Sequence, residues 1–262
     1  MRFYSSRALD NLIDSSLSHY EINFILLEVL GRTLEDIRIK GISAWEVERI
    51  EPYLQMARRY PVEYIFKKAF FRNLVLYVDE RVLIPRNETE QLVDIALHLI
   101  QERTPDRILE VGTGSGAIAI SIASESGKKV FASDVSPDAI EVASMNVRSH
   151  KTQGRVLLFV GDGLKAVDGE WDLIIWNHPY VLPQEYEDLP PKVKVEPAVA
   201  LISTPDALVD FLREGMKMLS SKGVILLESA PRFIERIKKS FPDIRVVKDL
   251  YGVERFVLLE RR

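Results

Sequence analysis

From residue 107 onward this chain alternates strand-like apolar runs with helix-length segments, and that alternation constrains its fold more than any other feature. Strand patterns at 107–111, 129–133, 156–160, 173–176 and 223–228 are interleaved with helical patterns at 116–124, 137–148 and 206–219, and a further helical pattern at 89–101 precedes them. Parallel strands need crossover connections, so the order predicts a parallel sheet with helices on both faces. The tail departs from it. Segments 244–248 and 254–260 are joined only by Asp249-Leu250-Tyr251-Gly252-Val253, too short for a crossover helix, so they must pair antiparallel.

The first sixty residues have a different texture. Residues 21–30 are apolar on most of one face and stop at Gly31, Thr33 can cap the next turn, and Ser43 with Glu46 forms a capping box for a helix over 44–59. Trp45, Val47, Ile50, Tyr53, Leu54 and Met56 fall at helical spacing there, and Pro52 should kink or split that helix. This small all-α unit is either a packing appendage or a module that docks a protein substrate. Between it and the alternating region, 69–71 and 74–78 read as strands around an Arg72-Asn73 turn, a β-hairpin.

With 262 residues, 47% of them hydrophobic, the chain can bury one sizeable core beside a small second unit. No apolar run approaches the roughly 18 residues of a membrane span, and Met1-Arg2-Phe3-Tyr4-Ser5 lacks a signal core, so a cytoplasmic protein is expected; a monomer is expected as well. A net charge of −4 gives no electrostatic footprint for nonspecific nucleic-acid binding. The absence of Cys excludes thiolate chemistry, and four scattered His (His19, His98, His150, His178) predict no metal site.

Two stretches carry the chemistry. Gly112-Thr113-Gly114-Ser115-Gly116 turns the first strand into a helix, and glycines in such a turn let backbone approach a ligand closely. Such turns serve dinucleotides, as in hydride-transfer enzymes, as well as S-adenosylmethionine; a P-loop is excluded because no Gly-Lys-Ser/Thr follows. Asp134, 18 residues past Gly116 at the end of the second strand, is a candidate for the ribose hydroxyls, its alternative being an N-cap for the helix at Pro137. Asp162, followed by Gly163, is a candidate for the adenine amino group, its alternative a plain turn former. The second stretch, Asn177-His178-Pro179-Tyr180, directly follows the apolar run 171–176. Asn offers an acceptor and a donor, Pro stiffens the chain, and Tyr supplies a flat face, which together suit a planar nitrogen such as an amide or an exocyclic amine. That turn and the antiparallel tail favour methyl transfer.

Taken with Leu83-Ile84-Pro85-Arg86-Asn87-Glu88-Thr89-Glu90, Pro61-Val62-Glu63-Tyr64-Ile65, Glu196-Pro197, Leu227-Glu228 and Asp249-Leu250-Tyr251-Gly252-Val253-Glu254-Arg255-Phe256, these stretches resemble the HemK/PrmC family of release factor glutamine N5-methyltransferases. The resemblance covers most of the chain. It implies an α/β fold: a seven-stranded Rossmann-like class I methyltransferase domain (87–262), a β-hairpin linker (62–86) and a small all-α N-terminal domain (1–61) that recognises substrate. The implied cofactor is S-adenosylmethionine, held by Gly112, Thr113, Gly114, Ser115, Gly116, Asp134, Asp162, Gly163 and Asn177. The implied partner is a peptide chain release factor, methylated on the Gln of its Gly-Gly-Gln tip by a site made of Asn177, His178, Pro179 and Tyr180. The family has Gly where Lys67 stands and Pro where Asn87 and His178 stand.

In that site the Asn177 side-chain carbonyl and the His178 backbone carbonyl are assigned as acceptors for the two amide hydrogens, and Tyr180 packs on the flat amide. An imidazolium at His178, about 6 Å from the sulfonium, would repel it by about 3 kcal/mol at an effective dielectric of 20. Activity is therefore expected to fall on the acid side near a His pKa of about 6.5. Two rival readings share these residues: a methyltransferase for an exocyclic amine in nucleic acid, and a cofactor-binding protein module that has lost catalysis.

Overall fold

The structure, a computed structural model, describes residues 3–4 and 16–261. The chain forms two compact units, one drawn from residues up to Lys68 together with Pro190–Val195, the other from Ala69–Leu189 and Glu196–Arg262.

The first unit is helical, and three successive capping boxes fix where its helices begin. Ser18 pairs with Glu21 to open α1 (His19–Leu30), Thr33 with Asp36 to open α2 (Leu34–Lys40), and Ser43 with Glu46 to open α3 (Ala44–Ala57). Each satisfies N–H groups that a helix start leaves orphaned. Gly31 closes α1 in the left-handed conformation. Arg32 then ties the corner, donating to Glu46 Oε1 at 2.6 Å and to the Gly41 carbonyl at 2.9 Å. Ile22, Ile25, Leu26, Ile37, Ile50 and Leu54 form the core, joined by Val62 from the one-turn helix α4 (Val62–Ile65). Pro52 does not split α3. The carbonyl it leaves unbonded belongs to Glu48, and both residues are exposed, so water can satisfy it. The unit also holds a two-residue antiparallel pairing that the helical pattern did not predict, β1 (Phe3–Tyr4) with β2 (Ile42–Ser43).

The second unit begins with the expected hairpin, β3 (Ala69–Phe71) and β4 (Leu74–Leu76). Arg72 takes the turn at φ 52°, uncommon for a side-chain-bearing residue. After α5 (Asn87–Arg103) come β5 (Ile108–Val111), α6 (Ala117–Ser126), β6 (Val130–Asp134), α7 (Pro137–Ser149), β7 (Val156–Val160), β8 (Trp171–Asn177), a short α8 (Ala198–Leu201), α9 (Pro205–Lys217), β9 (Leu219–Glu228), α10 (Pro231–Ser240), β10 (Arg245–Lys248) and β11 (Glu254–Glu260). Seven strands make one sheet in the order β10-β11-β9-β8-β5-β6-β7, and β11 runs antiparallel to both its neighbours, as the short connection required. α10 was not foreseen.

Side chains alternate across the sheet, and this decides what faces what. Leu109, Ile174, Ile225, Leu227 and Val257 pack with Leu208 and Leu212 of α9 and Phe233, Ile234 and Ile237 of α10. The opposite parity turns Glu110, Ile175 and Leu226, neighbours across three strands, to the face where α5, α6 and α7 lie. No helix among the described residues is long and apolar enough to cross a membrane.

Candidate functional site

Chain order reverses between β5 and β8, and crevices open at such switch points beyond the carboxyl ends of the strands. Here the crevice is a cavity of about 630 Å³. It is lined by Gly112, Thr113, Gly114 and Ser115 after β5, Asp134 ending β6, Asp162 and Gly163 after β7, and Asn177 and Pro179 at the end of β8. Nine expected residues thus meet in one place, while Gly116, His178 and Tyr180 do not line it.

The Gly-rich turn is shaped for close approach. Gly112 sits at φ 68°, and a Cβ there would stand 3.2 Å from Trp176 Nε1. Gly116, at φ 84°, serves packing: its missing Cβ makes room for Ile120 and Ala143 where α6 meets α7. Below the turn, Thr113 donates its hydroxyl to Glu110 Oε2 at 2.7 Å. Burial, with a smaller push from Asp134, raises the Glu110 carboxyl to about 8.

Asp134 accepts from Gly114 N at 2.9 Å on one oxygen and from Ser136 N at 3.0 Å on the other. It does not cap α7; Ser136 does, accepting from Ala139 N. Each carboxylate oxygen retains a second acceptor site, so vicinal hydroxyls fit at this strand end. Asp162 starts a one-turn 3₁₀ helix and pairs with Lys165 at 2.6 Å, both side chains exposed, so turn forming and cavity lining coincide in one residue. Trp176 and Phe211, ring centroids 4.0 Å apart, add a flat apolar wall. Small polar groups at strand ends around such a wall suit a nucleoside-bearing ligand. Among the described residues, no group of three or more His, Asp or Glu is placed to hold a metal ion.

In the turn after β8, alternation separates two adjacent residues. Asn177 falls on the α5 face, where its Nδ2 donates to Thr89 Oγ1 at 3.1 Å. His178 falls on the opposite face, only 1% exposed, its ring edge-on to Trp176 and Phe233. Its Nε2 is 2.9 Å from Ser203 Oγ and its Nδ1 3.4 Å from Ser229 Oγ. Burial drives its pKa down to about 3. The expected imidazolium beside the ligand is therefore wrong: the ring is neutral, hydrogen-bonded and outside the cavity lining. Tyr180 is partly buried against the sheet core, and burial first, then the Glu228 charge, raises its pKa.

The sequence reading gave no role to three buried polar residues of this unit. Thr89 opens toward Asn177 from the first turn of α5. Glu228 stands in register with Asn177 on β9, and Glu110 in register with Ile175 on β5. Each acid interrupts an apolar strand at its carboxyl end, and that was the available signal. Glu196, also buried, accepts from Ile84 N at 3.1 Å and from Arg86 at 2.5 Å, which pins the 84–86 segment ahead of α5. Asn87 is the first residue of α5, a position whose N–H needs no intrahelical partner.

Residues 89–189 match the methyltransferase small domain family. Curated proteins named release factor glutamine methyltransferase align over most of the chain. The one from Dictyoglomus turgidum is 34% identical over 81% of this chain and 80% of its own length. Its counterpart from Borreliella burgdorferi is 31% identical over 91% and 88%. This chain belongs to the release factor glutamine methyltransferase family. Its members from Rhodopirellula baltica and Chlorobaculum tepidum align at 36% and 35% identity, over 77% and 74% of this chain. Solved structures add the fold alone. The hMettl16 catalytic domain in complex with MAT2A 3'UTR hairpin 6 superposes with a TM-score of 0.57 at 15% identity, covering 72% of this chain and 75% of that one. A methyltransferase from Pyrococcus furiosus superposes at 0.51 and 19% identity, covering 80% and 96%.

Proposed function

We propose that this chain transfers the methyl group of S-adenosylmethionine to the side-chain amide nitrogen of a protein glutamine, the Gln of the Gly-Gly-Gln tip of a peptide chain release factor. Family membership supports the reaction class, and one geometric observation supports the acceptor: the Asn177 amide is held by its nitrogen on the Thr89 hydroxyl, which turns its carbonyl end away from Thr89 at the cavity wall.

In this reading Asp134 accepts from the ribose hydroxyls and Asp162 from the adenine amino group. Gly112, Thr113, Gly114, Ser115 and Gly163 give the backbone access that a nucleoside needs. When bound, S-adenosylmethionine supplies an electrophilic methyl carbon on a positively charged sulfur. A glutamine amide nitrogen is a weak nucleophile because its lone pair is delocalised into the carbonyl, so the protein must act mainly through orientation. The Asn177 carbonyl accepts one amide hydrogen; the other is assigned to the main-chain carbonyl of His178, which lies between the cavity-lining residues Asn177 and Pro179 although its ring is turned away. Both hydrogen bonds strengthen as positive charge develops on the nitrogen, so they favour the transition state over the ground state. The methylated nitrogen then loses its proton to water, and no strong general base is needed. His178 is fit for this because any residue has a main-chain carbonyl, and preceding Pro179 it is held toward extended backbone.

The test is direct. The protein is incubated with methyl-labelled S-adenosylmethionine and a release factor, then with the same factor whose Gly-Gly-Gln glutamine is replaced. Label should enter the first and not the second; label that survives the replacement overturns the assigned acceptor.

A further inference from the structure

Glu228 ends β9 in register with Asn177 across the parallel β8–β9 pair, so both side chains point to the α5 face. Glu228 is 1% exposed, and its Oε2 has no hydrogen-bond partner among the described residues. Thr89, also buried, lies beside both: its hydroxyl accepts from Asn177 Nδ2 at 3.1 Å, and it is the neighbour that most favours the charged form of the Glu228 carboxyl. A hydroxyl has one proton, and an ionised carboxylate can only accept. With Asn177 Nδ2 donating to it, the Thr89 oxygen is an acceptor toward Asn177, and its own proton is left for the charged Glu228 carboxylate. An amide flipped by 180° would set its own oxygen against that acceptor.

We propose that Glu228 is a positioning residue which, through the Thr89 hydroxyl, selects the one orientation of the Asn177 side-chain amide that offers a carbonyl oxygen to the substrate. The proposal rests on the reading of Asn177 as acceptor for the glutamine N–H. Protonating Glu228 reverses the relay. A carboxylic acid can donate to Thr89, the Thr89 proton is then free to face Asn177, and the flipped amide, with its NH₂ in the cavity, gains a partner. That orientation cannot accept from a substrate amide.

The groups that face Glu228 bear on where this happens. Burial is the largest influence and disfavours the charge; Glu88 of α5 and Asp249, in the loop between β10 and β11, push the same way, while Thr89 and Arg255 of β11 oppose them. The carboxyl is raised to about 7. Orientation is thus enforced above neutrality and relaxed below it.

The whole chain is labelled with ¹⁵N, the Asn177 side-chain amide is assigned by its loss in Asn177→Asp, and it is followed from about pH 5 to about pH 9. The resonances should titrate with a midpoint near 7, and the titration should vanish in Glu228→Gln. In parallel, kcat of the parent should rise over the same range and that of Glu228→Gln should be flat. Thr89→Val, which keeps shape and removes the hydroxyl, should lower kcat about tenfold, with KM for the release factor held, and Thr89→Ser should restore it. Resonances that still titrate in Glu228→Gln, or a Thr89→Val protein with parental kcat and parental Asn177 shifts, would overturn the proposal. If no glutamine is methylated at all, the resonances alone decide: a titration lost in Glu228→Gln upholds the relay while the glutamine reading falls.

Discussion

At the level of the single residue, the His178 side chain matters for packing rather than for charge. Its ring fills a slot between Trp176 and Phe233 and bonds Ser203 and Ser229, and its backbone N–H donates to the Glu228 carbonyl at 3.1 Å. His178→Ala should therefore cost about 2–4 kcal/mol by denaturant unfolding, the sum of a void and two hydroxyls left short of partners. The pH-rate profile of that variant should keep the shape of the parent's, because a ring held neutral down to about 3 has no proton to lose in the working range. An acid limb that disappears with the imidazole would contradict this. Glu110 supplies the opposite case, a buried acid that does titrate within reach. Folded, its carboxyl holds a proton up to about 8, whereas the unfolded chain releases it near 4.5. The folded state binds more protons across that interval, so stability falls as pH rises through it. Glu110→Gln cannot ionise. Its melting temperature should match the parent's below about pH 4.5 and exceed it by a margin that grows up to about pH 8 and then levels off, whereas a constant margin would show that Glu110 carries no such proton.

Secondary-structure elements were largely legible because their signals are local. Ser43-Ala44-Trp45-Glu46 announced α3 by side-chain chemistry confined to one turn, and the antiparallel pairing of β10 with β11 followed from a connection too short for anything else. The helix that escaped, α10, begins at Ala230 without a capping side chain and is crowded with charge. Its signal was nevertheless present in Phe233, Ile234 and Ile237, spaced to one face behind Pro231 at the first helical position. The hairpin shows what local patterns cannot give. Arg72 sits at a left-handed φ of 52°, and its guanidinium bonds Asp94 of α5 at 2.6 Å and Glu125 of α6 at 2.8 Å. The side chain that makes the turn unfavourable is the one that fastens it to two helices. Arg72→Gly relieves the backbone by about 1–2 kcal/mol but removes both ion pairs and a bond to the Glu90 carbonyl. If the network outweighs the strain, the variant unfolds at lower denaturant than the parent; if it unfolds higher, the ion pairs are surface decoration.

For the molecule as a whole, the sequence located the site but not the directions of its side chains. The Gly-rich turn, Asp134 and Asn177 could be placed at strand ends because open α/β sheets put ligands there, yet which face Asn177 and His178 take depends on strand parity, which was readable, and on which helices cover each face, which was not. The helical unit poses the remaining question, between a packing appendage and a docking module. Its interior is already closed by Ile22, Ile25, Leu26, Ile37 and Ile50, so the apolar residues left outside have no part in holding it together. Ile39 is 82% exposed and Trp45 57%, the latter beneath the Arg49 guanidinium at 4.7 Å. Large exposed apolar side chains beside Trp and Arg are the residue types on which protein interfaces concentrate their binding energy. If this unit docks the release factor, Ile39→Ala together with Trp45→Ala should raise KM for the factor about tenfold or more while leaving the affinity for S-adenosylmethionine and the melting temperature as they are. Calorimetric titration of the cofactor and steady-state methylation at graded concentrations of the factor measure both. An unchanged KM would return the unit to the role of appendage, because no other consequence of removing two solvent-facing side chains is expected.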